Sequence, residues 1–227
     1  MTASRTERRP WALSGVLFVA LFMAGLILSG VLGSETYPSP FGPSAEIERY
    51  FTASRDAVRM LSFFHALAAI ALVSFVAHLA AAVRRTGDET AVLSGLVLGG
   101  GVLAAAFMLL SALFSWVLAR PATVETPALV RAIHDLAFLT GGPGHVLWFA
   151  AFVGASSGAA LRTPILPGWI AWVGIVVAVI SLLSVASLLL EPASYLLPLG
   201  RFSSFVWILA VSVVLARGRP LEAGVRR

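Results

Sequence analysis

Six long apolar stretches, at residues 11–32, 60–82, 91–119, 143–161, 169–190 and 202–216, constrain this chain more than any other feature. About 20 apolar residues in a helix cover the ~30 Å hydrocarbon layer of a bilayer. Within that layer each backbone N–H and C=O must be satisfied inside the protein, which a helix does by itself. The stretches therefore predict an all-α, polytopic membrane helix bundle with six transmembrane helices. Composition agrees: 59% of residues are hydrophobic and 12% charged, where soluble domains carry about a quarter charged, and mean hydropathy is +0.92. One six-helix membrane domain uses residues 1–227, with outer cap segments at 33–59 and 120–140.

The same composition removes several classes of function. The isoelectric point near 10.9 would suit a nucleic-acid binder only if basic residues clustered on one exposed face. Here they flank apolar spans, so no nucleic acid is expected. The chain has no cysteine, which excludes disulfides, thiolate metal sites, iron–sulfur clusters and a thiol nucleophile. All 16 basic residues are arginine, which excludes lysine Schiff-base chemistry.

Arginine placement predicts orientation. With a cytoplasmic N-terminus, the inner side carries Arg5, Arg8, Arg9, Arg84, Arg85, Arg162, Arg217, Arg219, Arg226 and Arg227. The outer side then carries Arg49, Arg55, Arg59, Arg120, Arg131 and Arg201. Basic loops stay inside, so both termini are expected in the cytoplasm and the protein in a bacterial inner (plasma) membrane. Trp11, Trp169 and Trp172 fall at inner boundaries and Trp116 at an outer one, where amphipathic rings settle. The first stretch is long for a signal peptide and is read as a retained helix.

The outer connectors are the elaborate ones. Residues 33–43 contain Pro38, Pro40 and Pro43 and predict an irregular loop. Beyond it, Ile47, Tyr50, Phe51 and Val58 recur at helical spacing around the small Ser54, predicting an amphipathic helix. That helix is either an extension of the second span packed on the bundle or a lid over a pocket. Residues 127–161 are too many for one plain crossing and hold Gly141-Gly142-Pro143-Gly144 in their middle. Two arrangements follow: a long kinked helix, or an outer helix 127–140 followed by a span starting near Pro143.

Ionisable groups in lipid are costly, by roughly 2.5–3.5 kcal/mol for a central charge, and turn toward the bundle interior. Counting from the inner helix ends at about 1.5 Å per residue places His65, His145, Ser184 and Arg201 in one layer near the outer surface. His134, Asp135 and Glu191 come above it, with Arg131, His134 and Asp135 on one helical face. The expectation is an outward-opening polar pocket lined by His65, His145 and Arg201, with Ser184 and His134 nearby and Asp135 and Glu191 balancing charge. The plainer alternative is that Arg201 snorkels to the interface and the histidines bond backbone or water.

Other motifs carry less. Two stacked bis-histidine haems would need His65 and His78 on one face, but their 13-residue separation turns them about 140° apart. A single haem between His65 and His145 stays open. No HExxH-type spacing supports zinc, and no metal is expected. Gly154-Ala155-Ser156-Ser157-Gly158 matches G-x-S-x-G but lies inside a helix rather than on a strand-to-helix turn, so it reads as a packing surface, as does Gly99-Gly100-Gly101.

Three segments carry a family resemblance. Pro10-Trp11-Ala12-Leu13-Ser14-Gly15-Val16-Leu17-Phe18 opens the chain's first span, and Ser44-Ala45-Glu46-Ile47 begins the outer helix that continues to Arg55-Asp56. On the inner side, Leu161-Arg162-Thr163 precedes Leu166-Pro167-Gly168-Trp169-Ile170-Ala171-Trp172. In these the chain resembles bacterial six-span integral membrane proteins of the domain-of-unknown-function kind. The resemblance implies the fold and transfers no activity, cofactor or catalytic residue.

Two function classes follow. One is a non-enzymatic membrane protein that binds or transports a small molecule or lipid through the outward pocket and needs no cofactor. The alternative is a redox membrane subunit that holds haem or quinone near His65 and His145. The lipid bilayer is the expected environment, and a membrane protein partner would account for a chain whose work is done elsewhere.

Overall fold

The computed structural model describes residues 10–217; Arg5, Arg8, Arg9, Arg219, Arg226 and Arg227, six of the arginines behind the orientation argument, lie outside them. Among the described residues the protein is helical and contains no strand. Six helical segments are long and apolar enough to cross a membrane: Pro10–Leu32, Arg55–Arg84, Asp88–Leu118, Pro127–Arg162, Gly168–Leu188 and Glu191–Arg217. The elements are α1 (Leu13–Leu32), α2 (Ser44–Ala53), α3 (Arg55–Arg84), α4 (Ala91–Leu118), the short α5 (Pro121–Val124), α6 (Pro127–Leu139), α7 (His145–Arg162), α8 (Gly168–Leu183) and α9 (Leu196–Arg217).

The spanning helices form a closed ring in chain order. Each of α1, α3, α4, α7, α8 and α9 packs on the next, and α9 closes back on α1. The end of the ring where α1 begins and α9 finishes is the terminal face, and the opposite end, covered by α2, α5 and α6, is the cap face. The outside of the ring is greasy: Ile70, Val92, Val206 and Trp169 are each at least 64% exposed. A surface of this kind is stable only against acyl chains, which makes this an integral, multi-pass membrane protein.

Small residues bring the helices together, as expected where lipid tails supply no hydrophobic drive for helix association. A Cβ on Gly101 would collide with Val76 of α3, and one on Gly100 would press on Ala151 and Phe152 of α7. Gly174 lies against Ser157 and Trp207, whose Nε1 donates to the Ile170 carbonyl at 3.1 Å. The Ser156 hydroxyl of the G-x-S-x-G match is buried and donates to the Phe152 carbonyl one turn back, at 2.8 Å. Bonded in this way inside a helix, it has none of the exposure a nucleophile needs. On the terminal face the α3–α4 turn relies on Gly87, whose φ of +143° favours glycine. Thr86 and Thr90 close that turn by donating to the Val83 carbonyl at 2.7 and 2.9 Å.

The fourth span resolves the two arrangements left open by the sequence. Pro127–Arg162 is one continuous helical rod of 36 residues, about 54 Å at 1.5 Å per residue, so it rises well past a ~30 Å layer on the cap face. The strain of Pro143 is absorbed by a single π-helical turn, Thr140–Gly144. A π turn widens the helix by one residue and so gives the proline ring room where the α-helical ladder has none. Gly141 and Gly144 let that turn lie directly on Ser111 and Phe107 of α4.

On the cap face, α2 and α3 are separate helices divided at Ser54. Its buried hydroxyl receives the Ser34 amide at 3.2 Å and lies 3.0 Å from the Ser34 hydroxyl, tying the end of the first span to the start of the second. Glu46 in the first turn of α2 favours the helix dipole. Ile47, Tyr50 and Phe51 are its buried face and pack with Val58, Leu118, Ala119, Val130 and Ala137. The amphipathic helix is therefore seated on the bundle.

Candidate functional site

Between the cap and the middle of the ring lies a cavity of about 880 Å³, within the ~300–1,000 Å³ range of small-molecule sites. Its walls come from α1, α3, α4, the π turn with the residues on either side of it, and α9; no residue of α8 reaches it. The loop after α1, Ser34 to Phe41, and Tyr50 of α2 line the part nearest the cap.

His65, His134, His145 and Arg201 all line this cavity. His145 is 1% exposed, and its Nδ1 lies 2.8 Å from the carbonyl of Ala104 on α4. A carbonyl only accepts, so this nitrogen carries the proton. The other ring nitrogen, Nε2, is buried without a partner in the protein, as is Nε2 of His65. The His65 ring stacks on Phe22 of α1 with centroids 4.1 Å apart, and the Arg201 Cζ sits 5.9 Å from the same Phe22 ring. Phe22 thus links the imidazole of α3 to the guanidinium of α9.

Arg201 does not snorkel free. Its Nη2 donates to the Gly141 carbonyl in the π turn, and its Nε is buried without a partner. The ion pairs among the described residues are Arg49–Glu35, Arg59–Asp56 and Arg131–Asp135. None of their carboxylates is within ion-pair distance of Arg201, although Glu35, held by Arg49, lines the same cavity, so the cation within a membrane span has no direct acidic partner among the described residues.

Beneath the cavity the ring is filled. Phe205 of α9 meets Phe18 at 5.1 Å, Phe22 at 4.7 Å and Phe149 at 6.0 Å between centroids, all in edge-on geometry. Phe152 and Trp207 continue this packing toward the terminal face. Edge-to-face aromatic pairs are favourable beyond their buried area, by about 0.5–1.5 kcal/mol each, so the floor is a dense plug.

Of the remaining sequence candidates, His134 lines the cavity toward the cap, and the others lie elsewhere or do other work. His134 is 1% exposed, packed near Phe51 and Tyr37 at 5.4 and 5.8 Å, with Nδ1 unpartnered. Asp135 accepts from Arg131 Nε at 3.1 Å, and Arg131 uses its other nitrogens on the loop carbonyls of Gly42 and Pro40. The pair is a fastening for the loop and does not line the cavity. Ser184 is fully buried where α8 tightens into a 3₁₀ turn and donates to the Ser181 carbonyl at 2.7 Å. Glu191 is exposed at the start of the turn before α9, off the cavity. His78 stacks on Trp11 at 5.3 Å, far along α3 from His65, and contributes nothing here.

Several lining residues were not among the sequence candidates. Ser111 and Ser115, spaced i, i+4 in the apolar α4, carried a usable signal as polar groups inside a span. Phe22 had none, because an aromatic in an apolar run reads as core. Tyr37 and Tyr50 lie outside the spans, where Tyr37 lines the cavity 42% exposed and Tyr50 is 2% exposed. Desolvation raises the Tyr37 phenol above its ordinary range, reinforced by the Tyr50 phenol and opposed by the Ser115 hydroxyl. Burial also raises Tyr50, opposed by the Ser29 hydroxyl. Both are neutral hydroxyl groups near neutral pH. No protein-family model, no curated protein and no solved structure matches this chain.

Proposed function

We propose that this protein binds a small molecule or lipid in the cap-side cavity and that the cap faces outward from a bacterial plasma membrane, with both termini cytoplasmic. The observation that carries the reading is convergence: three helices distant in sequence each bring to the wall of one cavity a side chain with a buried polar atom that no protein group satisfies. These are His65 Nε2, His145 Nε2 and Arg201 Nε, none of which has a protein partner. An unmet buried polar group costs about 1–3 kcal/mol, more when charged, and an occupant that bonds all three recovers that cost. The aromatic plug below supports binding from the cap side over open conduction; transport would require Phe205 and its neighbours to move.

Mass spectrometry of small molecules and lipids that co-purify with the full chain tests this. A molecule retained by the wild type and lost in His65→Phe and Arg201→Gln, with both variants folded by circular dichroism, is the expected result. Equal retention in all three forms would move the binding elsewhere.

The haem or quinone reading is favoured by one specific observation, the two histidines that line the same cavity, each with a buried and unpartnered Nε2. A visible spectrum separates the readings: a Soret band lost in His65→Ala and His145→Ala would establish haem, and a colourless preparation removes it. A partner subunit docked on the cap would appear as a co-purifying membrane protein.

A further inference from the structure

The polar side chains that line the cavity are not equivalent, and their difference points to the chemistry of an occupant. Arg201 offers N–H donors and has no acceptor of its own. One of its donors is used on the Gly141 carbonyl, and Nε is left over. Neither that carbonyl nor the Phe22 face cancels a full positive charge, and no carboxylate among the described residues is paired with it. The group that completes Arg201 is an anion.

His145 asks for the opposite. Its Nδ1–H is committed to the Ala104 carbonyl at 2.8 Å, so in the neutral ring Nε2 presents a lone pair. No protein donor reaches that buried lone pair. A bare anion leaves it unmet, and a neutral alcohol leaves Arg201 unmet. The cavity walls add Leu26, Leu61 and Phe202, an apolar surface suited to a carbon skeleton.

We propose that the cavity binds an organic anion that also carries a hydroxyl, the negative group on Arg201 and the hydroxyl donating to His145 Nε2. This rests on the binding reading above and narrows it to a substrate class. Two sources supply the chemistry: a phosphoglycerol lipid headgroup in the cap-side leaflet, or a soluble hydroxylated anion. The side of the cavity at Gly30 of α1 is uncrowded, with no neighbour within 4 Å of a would-be Cβ, and an approach from the leaflet would enter there.

The test uses the full chain in nanodiscs of phosphatidylcholine doped with phosphatidylglycerol or with phosphatidylethanol, an anionic phosphodiester without a headgroup hydroxyl. Lipid retained on the protein is read by native mass spectrometry. In parallel, calorimetry compares glycerol 3-phosphate with ethyl phosphate. The expected order on the wild type is phosphatidylglycerol over phosphatidylethanol by about tenfold, the size of one buried hydrogen bond, with phosphatidylcholine weakest. Arg201→Gln abolishes retention of both anionic lipids. His145→Phe equalises the two anions while keeping both above phosphatidylcholine, an effect that a general loss of fold would not produce.

Retention of the lipid alone assigns the headgroup as source, and binding of glycerol 3-phosphate alone assigns a soluble anion; either supports the proposal. The wild-type order decides it even if a variant fails to fold. Equal retention of phosphatidylcholine, or of the two anionic lipids, overturns this inference and leaves the general binding reading standing. If no lipid is retained, no soluble probe binds and no molecule co-purifies, both fall.

Discussion

Arg131 donates through Nη2 to the carbonyl of Pro40, 2.7 Å away and 91 residues earlier in the chain. A second nitrogen reaches Gly42 at 3.1 Å and Nε reaches Asp135 at 3.1 Å. One guanidinium thus pins the proline-rich loop to α6, with a carboxylate one helical turn away holding it in position.

Cutting that fastening loosens the loop before it unfolds the bundle. Arg131→Ala is expected to raise hydrogen exchange across residues 34–42 and to destabilise by about 1–3 kcal/mol, toward the low end because the side chain is partly solvated. Asp135→Asn, which leaves the two loop bonds in place, has the smaller effect. Unchanged exchange in Arg131→Ala would show that the loop is held by other contacts.

Two neighbouring glycines separate packing from propensity. Gly101→Ala drives a methyl into Val76, whereas Gly99 has no neighbour within 4 Å of a would-be Cβ. The first substitution is expected to cost about 1–3 kcal/mol by overpacking. The second is neutral or slightly stabilising, since alanine is the better helix former. Thermal unfolding of the two variants in one detergent compares them directly.

The cap tyrosines predict loss of stability at high pH. Tyr37 and Tyr50 hold their protons more tightly when folded than at the ordinary value of 10.0. As the medium passes pH 10.0, the unfolded chain releases these protons first and is stabilised relative to the fold. The contribution is intact below that pH and is lost as the medium climbs toward the raised folded values. The fall in Tm above pH 10 is expected to be shallower in Tyr37→Phe, and an identical profile in both proteins would refute this assignment.

Phe205 is the keystone of the aromatic floor, touching Phe18, Phe22, Phe149 and Phe202. Phe205→Ala removes four edge-on partners at once and is expected to destabilise by about 3–5 kcal/mol. Phe205→Leu keeps most of the volume and costs about half as much. A chemical-denaturation series in mixed micelles gives both values.

The bundle was legible in the sequence because span length is set by the thickness of the hydrocarbon, and each helix satisfies its own backbone. Residue counting from the inner ends also brought His65, His145 and Arg201 to one depth, and these three do line one cavity. Depth alone does not say which way a residue faces. Ser184 shares that depth but turns back to Ser181, and Asp135 is claimed by an arginine that could be matched to Pro40 only in three dimensions. The π turn was invisible for a related reason. The sequence showed a proline that an α-helix rejects, but its accommodation by one widened turn depends on how closely α4 approaches Gly141 and Gly144.

The aromatic floor has an electrical consequence. A hollow of about 880 Å³ beneath the cap would short-circuit the membrane potential if it filled with water and ran the full depth of the bundle. With Phe18, Phe149, Phe205 and Trp207 packed across the ring, the voltage drop is concentrated over the terminal half of the protein. The hollow therefore opens one half of the bundle only, and the packed half remains the dielectric barrier.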